Sequence, residues 1–132
     1  MIVDASAIIA IVHAEEDAAS FAGAVERAGA ARISAANYFE AAIIVDSSRN
    51  PISIRQFDEI LSLLGIAIEP VSVEQAKIAR QAYRDFGKGS GHPAGLNFGD
   101  CFAYALAKET GEPLLFKGSD FGHTDVKKAL DP

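Results

Sequence analysis

Leu96-Asn97-Phe98-Gly99-Asp100-Cys101-Phe102-Ala103-Tyr104-Ala105-Leu106-Ala107, closed by Gly111 and followed by Leu114-Leu115-Phe116-Lys117, is the stretch that decides the fold. From Phe98 to Thr110 apolar residues occupy almost every side of a helical wheel, which predicts a buried helix. Gly111 stops that helix, and Leu114 to Lys117 reads as a strand. One ionisable side chain, Asp100, interrupts the apolar run in its first turn.

The same alternation extends back to Met1. Met1-Ile2-Val3 reads as a short buried strand ended by Asp4, and Ser6 to His13 as a helix. Glu15 to Gly29 forms a second helix with Gly29 near its stop, and Ala31 to Ser34 a second strand. Ser34 can cap a helix from Ala35 to about Asp46, which dies out in Ser47-Ser48-Arg49-Asn50-Pro51. Pro51 suits the first turn of the next helix, where Ile54, Phe57, Ile60, Leu61 and Leu64 recur at three-to-four spacing. Gly65 ends it, and Ile66 to Val71 is the third strand. Ser72 can cap a helix from Val73 to about Phe86 with Ala76, Ala79 and Tyr83 on one side. The tail is expected to add a short fifth strand. No repeat, linker or composition break appears, so residues 1–132 form one domain. Strands alternating with helices imply right-handed crossovers and an α/β fold whose parallel sheet is covered on both faces. In such folds ligands gather beyond the carboxyl ends of the strands.

Composition narrows the function classes. A chain of 132 residues with 49% hydrophobic and 23% charged residues can bury a real core, which argues against general disorder. No apolar run approaches the roughly 20 residues of a membrane span. Met1 leads straight into a strand-like segment with no signal peptide ahead of it, and the single Cys101 can form no internal disulfide, so a cytoplasmic protein is expected. Cys101 itself reads as a small buried side chain. A net charge of −6 is unlike the basic footprint of a nonspecific nucleic-acid binder. Arg80, Arg84 and Lys88, at steps of four, would line one side of a helix as a solvated face.

Four acids stand in stretches otherwise poor in charge: Asp4, Glu40, Asp100 and Asp120. Each has an ordinary explanation. Asp4 before Ser6 could cap a helix, Asp100 could complement a helix dipole, and Asp120 after a strand could serve a turn. Glu40 resists this best, because at helical spacing it shares a face with Ala36, Ile43 and Ile44 and should point where core residues point. An ionised carboxylate in apolar surroundings is costly unless it is paired or holds a metal, so four of them suggest a shared cation. The chain has no zinc pattern, and His13, His92 and His123 stand apart as loop or surface residues. Oxygen-only ligation selects Mg²⁺, with Mn²⁺ as substitute. Bound metals would also let an acidic protein attract a phosphate backbone. The loop Gly87-Lys88-Gly89-Ser90-Gly91-His92-Pro93 follows a helix and lacks Walker or dinucleotide spacing, so it reads as a mobile connection rather than a phosphate cradle.

Met1-Ile2-Val3-Asp4-Ala5-Ser6-Ala7, Glu40, the Leu96–Ala107 stretch and Leu114-Leu115-Phe116-Lys117-Gly118-Ser119-Asp120-Phe121 together resemble the PIN-domain ribonucleases, and within them the VapC toxins of type II toxin–antitoxin systems. The resemblance runs from Met1 to about Thr124. It implies a three-layer fold with a short parallel sheet in the order 3-2-1-4-5. It also implies an acidic metal site of Asp4, Glu40, Asp100 and Asp120, supported by Ser6. Where many relatives carry Thr-x-Asp before the last acid, this chain has Gly118-Ser119-Asp120, so Ser119 would supply the hydroxyl and Asp125 is a nearby substitute for Asp120. The activity implied is Mg²⁺-dependent endoribonuclease cleavage of cellular RNA by metal-activated water, leaving 5′-phosphate and 3′-hydroxyl ends. Homodimerisation and a hetero-oligomer with a small VapB-like antitoxin are implied as well. Phe57, Ile60, Leu61 and Leu64 are expected to form the groove for the antitoxin, if their stripe is not wholly used in the core. Two rival readings are a PIN-like phosphatase or DNA nuclease using the same metals, and a binding module whose acids only stabilise the fold.

Overall fold

The computed structural model describes residues 1–130. Its centre is β1 (Ile2–Val3), hydrogen-bonded in parallel to β2 (Ala31–Ser34) on one side and to β4 (Leu114–Leu115) on the other. With β3 (Ile66–Glu69) the sheet runs β3-β2-β1-β4, all parallel. Side chains alternate across a strand, and the two-residue strands divide accordingly. Val3 and Leu115 enter one core, while Ile2 and Leu114 enter the other. The first core is covered by α1 (Ala5–Val12), α2 (Ala18–Ala28), α3 (Ala35–Ser47) and α4 (Pro51–Leu63). The second lies under α5 (Val73–Phe86) and α6 (Phe98–Thr110). This is a three-layer α/β fold. Among the described residues no helix is long and apolar enough to cross a membrane.

Local chemistry sets the helix ends. The Ser34 hydroxyl accepts from the Ala36 N–H, Asn50 accepts from Ile52 and Ser53 ahead of Pro51, and Ser72 accepts from Gln75. Each satisfies donors that a helix leaves open at its start. Gly111 closes α6 in the left-handed region at φ 70°, which a residue with a Cβ adopts reluctantly.

Several expectations need correction. The fifth strand reduces to a single bridge, in which Lys127 and Lys128 run past Leu114 at the free edge of β4, so the order 3-2-1-4 holds without a fifth member. β4 stops after Leu115, and the Lys117 N–H is taken by the Ser6 hydroxyl instead of a strand partner. Lys88 does not continue the Arg80–Arg84 line on a helix, because α5 ends at Phe86 and Gly87 bridges to Leu96. That bridge also ties down the loop expected to be mobile, through Lys88 N–H to Leu96 O and Leu96 N–H to Phe86 O. The α4 stripe is consumed in packing: Phe57 and Leu61 are buried in the first core, and Ile60 and Leu64 pack against it. It leaves no groove for a partner there.

Candidate active site

Asp4 follows β1, at the carboxyl end of the central strand. Its Oδ2 accepts from the Ser6 N–H at 3.0 Å and from the Ser6 hydroxyl at 2.6 Å, so the helix-cap reading of Asp4 is correct as far as it goes. It does not account for Oδ1, which is buried without any partner. The side chain is 3% exposed. Burial, reinforced by the charge of Glu40, pushes its carboxyl up to about 6 despite the two bonds from Ser6. Ser6 is itself fixed, since its hydroxyl gives its proton to Asp4 and accepts the Lys117 N–H at 3.0 Å. The turn after β4 is thereby tied to the turn after β1.

Asp100 sits in the first turn of α6 and closes a reciprocal cap with Asn97. The Asp100 N–H donates to Asn97 Oδ1 at 2.9 Å, and the Asn97 N–H donates to Asp100 Oδ2 at 3.0 Å. Its carboxyl is also pushed up to about 6, first by burial and then by the charges of Asp4 and Asp120, with Lys88 opposing. Glu40 lies half-buried on α3, raised by burial and by Asp100. The four carboxylates therefore feel one another across four separate segments: Asp4 couples to Glu40 and Asp100, and Asp100 to Glu40 and Asp120. Asp120 opens a short 3-10 helix, Asp120–His123, and is exposed.

Glu40 does not lie on the core face expected of it, yet it lies near enough to Asp100 to feel its charge. Ile43 and Ile44 are exposed, so Glu40 does not share a core face with them. It is turned instead toward the start of α6, and two residues not singled out in the sequence put it there. Asn37, fully buried, donates from Nδ2 to the Gly99 carbonyl at 2.9 Å and to Glu40 Oε1 at 3.3 Å, joining α3 to α6. Gly99 has no side chain because the Glu40 carboxylate occupies the space where its Cβ would lie. A polar residue one helical turn before a lone acid, and a glycine beside the second acid, were the available signals.

Two supporting assignments fare differently. Asp125 accepts from the Tyr104 hydroxyl at 2.7 Å and pairs with Lys108 at 3.0 Å, which holds its carboxyl below the usual range. It is committed elsewhere, and Asp120 is the acid that Asp100 feels. Ser119 precedes the 3-10 helix but its side chain makes no capping bond. Cys101 is buried, and burial pushes its thiol up to about 11, so it offers no thiolate nucleophile. Lys117, the lysine nearest in sequence to Asp120, is held by Glu15 at 2.7 Å and Asp17 at 3.2 Å. Among the described residues none of the four acids has an ion-pair partner.

This donor set fits a hard divalent cation. The fit rests on the orphaned Oδ1 of Asp4, on oxygen-only ligands, and on acids that feel one another's charge and, among the described residues, make no ion pair. Among the described residues no three acids stand ready-assembled as ligands, and Asp4 and Asp100 each turn one oxygen to a neighbouring N–H.

The chain is similar to known proteins over nearly its whole length. The PIN domain family profile matches residues 1–127. Ribonuclease VapC28 of Mycobacterium tuberculosis is 57% identical over 131 residues, covering 99% of this chain and 98% of the relative. Ribonuclease VapC42 of the same organism is 52% identical over 129 residues, with 98% of each covered. Ribonuclease VapC30, also from that organism, is 44% identical over 132 residues, with both chains covered entirely. Among solved structures, that of M. tuberculosis VapC20, described as a sarcin-ricin loop cleaving toxin, superposes with a TM-score of 0.72 over 99% of this chain and 98% of that chain. At 14% identity that likeness speaks to the fold alone.

Proposed function

The chain belongs to the PIN-domain family and, within it, to the VapC ribonucleases, and from that premise we propose that it is a Mg²⁺-dependent endoribonuclease, the toxin of a type II toxin–antitoxin pair. The observation that carries the metal dependence is the Asp4 carboxylate, buried, drawn toward other acids, and left with one oxygen unpartnered. Asp4, Glu40 and Asp100 would hold the cation, with Asp120 completing the pocket at its open side; Mn²⁺ would substitute. When bound, the cation would supply an activated water and stabilise charge on the phosphodiester in the transition state.

The chain's own residues do the rest. Ser6 fixes the Asp4 carboxylate by two bonds to Oδ2, leaving Oδ1 without a partner. Asn37 holds Glu40 against α6, and the Asn97–Asp100 cap fixes the start of that helix. No side-chain nucleophile is needed, and the high-lying Cys101 thiol offers none. The cellular partners proposed are an RNA substrate, a second copy of the chain in a homodimer, and a VapB-like antitoxin whose cationic side chain would meet the acids. A cytoplasmic location follows from that role.

Purified protein freed of antitoxin should cleave RNA with Mg²⁺ or Mn²⁺, stop on chelation, and spare DNA and phosphomonoesters. Products ending in 2′,3′-cyclic phosphate, or cleavage resistant to chelator, would overturn the mechanism.

A further inference from the structure

Beside the acids lies a feature the catalytic reading does not use. A cleft of about 520 Å³ runs between α5 and α6, with Ala79 at its base, Tyr83, Phe98 and Phe102 on its walls, and Arg80 and Lys88 on its rim. Its volume falls within the roughly 300–1,000 Å³ of small-molecule sites. Phe98 is 78% exposed and Tyr83 49% exposed, so both rings offer faces to solvent. Their rings are nonetheless placed by packing. Phe98 meets Phe102 edge-on at 4.9 Å between centroids, and Tyr83 lies where a Cβ on Gly87 would sit. Among the described residues neither Arg80 nor Lys88 makes an ion pair, although the chain as a whole carries a net charge of −6. Phe98 is two residues from Asp100, and Lys88 is the cation whose charge Asp100 feels.

Resting on the ribonuclease reading, we infer that this cleft is a substrate subsite that takes an unstacked base of single-stranded RNA between its aromatic walls, while Arg80 and Lys88 hold the flanking phosphates. Apolar walls of π-faces with cations at the lip match a nucleotide, whose base is flat and apolar in face and whose backbone is anionic. A peptide helix would leave both rim cations without counter-charge unless it were acidic. Continuity with Asp100 would deliver the phosphate next to the held base to the carboxylates. The enzyme would thereby prefer looped or unpaired RNA to duplex, because a paired base cannot enter.

The test uses a short single-stranded RNA of randomised sequence carrying 4-thiouridine. Near-ultraviolet cross-linking in chelator, followed by peptide mapping, should place the base on Tyr83, Phe98 or Phe102. In Mg²⁺, Phe98→Ala should raise KM by about 5- to 150-fold, the loss of one base–aromatic stack, with kcat nearly unchanged. Phe98→Tyr should restore it, and the melting temperature should not fall, since Phe98 is exposed. Wild-type protein that cleaves RNA, with cross-links elsewhere and an unchanged KM in Phe98→Ala, would overturn the subsite and leave the ribonuclease reading intact. Loss of antitoxin capture in Phe98→Ala with RNA kinetics unchanged would assign the cleft to the protein partner. Wild type that cleaves no RNA would remove both.

Discussion

Glu112 and Asp4 are acids on neighbouring parts of the sheet, and they are treated in opposite ways. Glu112 lies before β4, where it accepts from the Met1 ammonium at 2.6 Å and pairs with Arg32, which also reaches Glu69 at 3.3 Å. Those partners pull its carboxyl below the ordinary range. Asp4, beyond the other end of β1, is buried among acids and pushed up to about 6. The first arrangement is what a fold does with charge when stability is the only requirement. The second is kept despite its cost, and electrostatics of that kind gathers at functional sites. The contrast separates acids that hold the protein together from acids that the protein holds in readiness.

The sharpest way to break this comparison is to neutralise one member of each group. Asp100→Asn should abolish RNA cleavage while raising the metal-free melting temperature by several degrees, on the scale of about 2–8 °C per kcal/mol for domains of this size range. The amide still supplies the oxygen that accepts the Asn97 N–H, so the cap survives. Asp120→Asn should act in the same direction but more weakly, being exposed. Melts with chelator and with excess Mg²⁺ decide it; a lower metal-free melting temperature with an unchanged Mg²⁺ shift would make the substituted acid a structural cap. Gly99→Ala should come next, because the added methyl group displaces the Glu40 carboxylate. A loss of cleavage of about 10- to 100-fold, as for residues that orient metal ligands, with little change in the melt, is expected.

The pH response should divide the two groups more gently. Asp4 and Asp100 bind protons more tightly folded than unfolded, so their contribution to stability is present below about pH 4 and lost as pH rises through about 6. Stabilisation by Mg²⁺ should grow over the same window, since protons compete with the metal. Glu112 has the opposite sign: its contribution is present above its unfolded pKa and disappears as pH falls through its lowered folded value. Melts across this range in chelator, compared with Glu112→Gln, separate the terms. Glu112→Gln itself should lower stability by about 1 kcal/mol or less, because the pair is partly exposed, and leave cleavage intact. Ser119→Ala should have the smallest effect, within about twofold on cleavage, because the Ser119 side chain makes no capping bond.

Much of this was legible in the chain itself, for reasons tied to particular residues. Ser34, Ser72, Pro51 and Gly111 mark helix ends through local hydrogen bonding and backbone freedom, which need no tertiary context. The encirclement of α6 by apolar residues announced its burial, yet Phe98 at its first position stands in solvent, since a wheel cannot show where a helix leaves the core. Strand lengths were overestimated at β3 and β4, because pairing depends on neighbours far along the chain. Asp4, Glu40 and Asp100 could be picked out as charges in apolar stretches. Asn37 and Gly99 left only faint signals, their spacing to Glu40 and Asp100, because a buried amide that joins two helices has no periodicity to betray it. Asp125 looked interchangeable with Asp120 until Tyr104 and Lys108 were seen to claim it.

The placement of β1 has a consequence for how activity appears during synthesis. Asp4 reaches its site only when its N–H finds the Leu115 carbonyl and when Ser6 finds Lys117, 111 positions further along. Of the described strands the first to be made is thus the middle of the sheet, and its second neighbour is the last of them. Long-range parallel pairing forms slowly, because a long loop must close before any contact repays it. A nascent chain therefore carries Asp4 and Glu40 without the turn that completes the setting of Asp4 until Lys117 has been made. In a chain built this way the setting of Asp4 is completed only once β4 and the turn after it have been made.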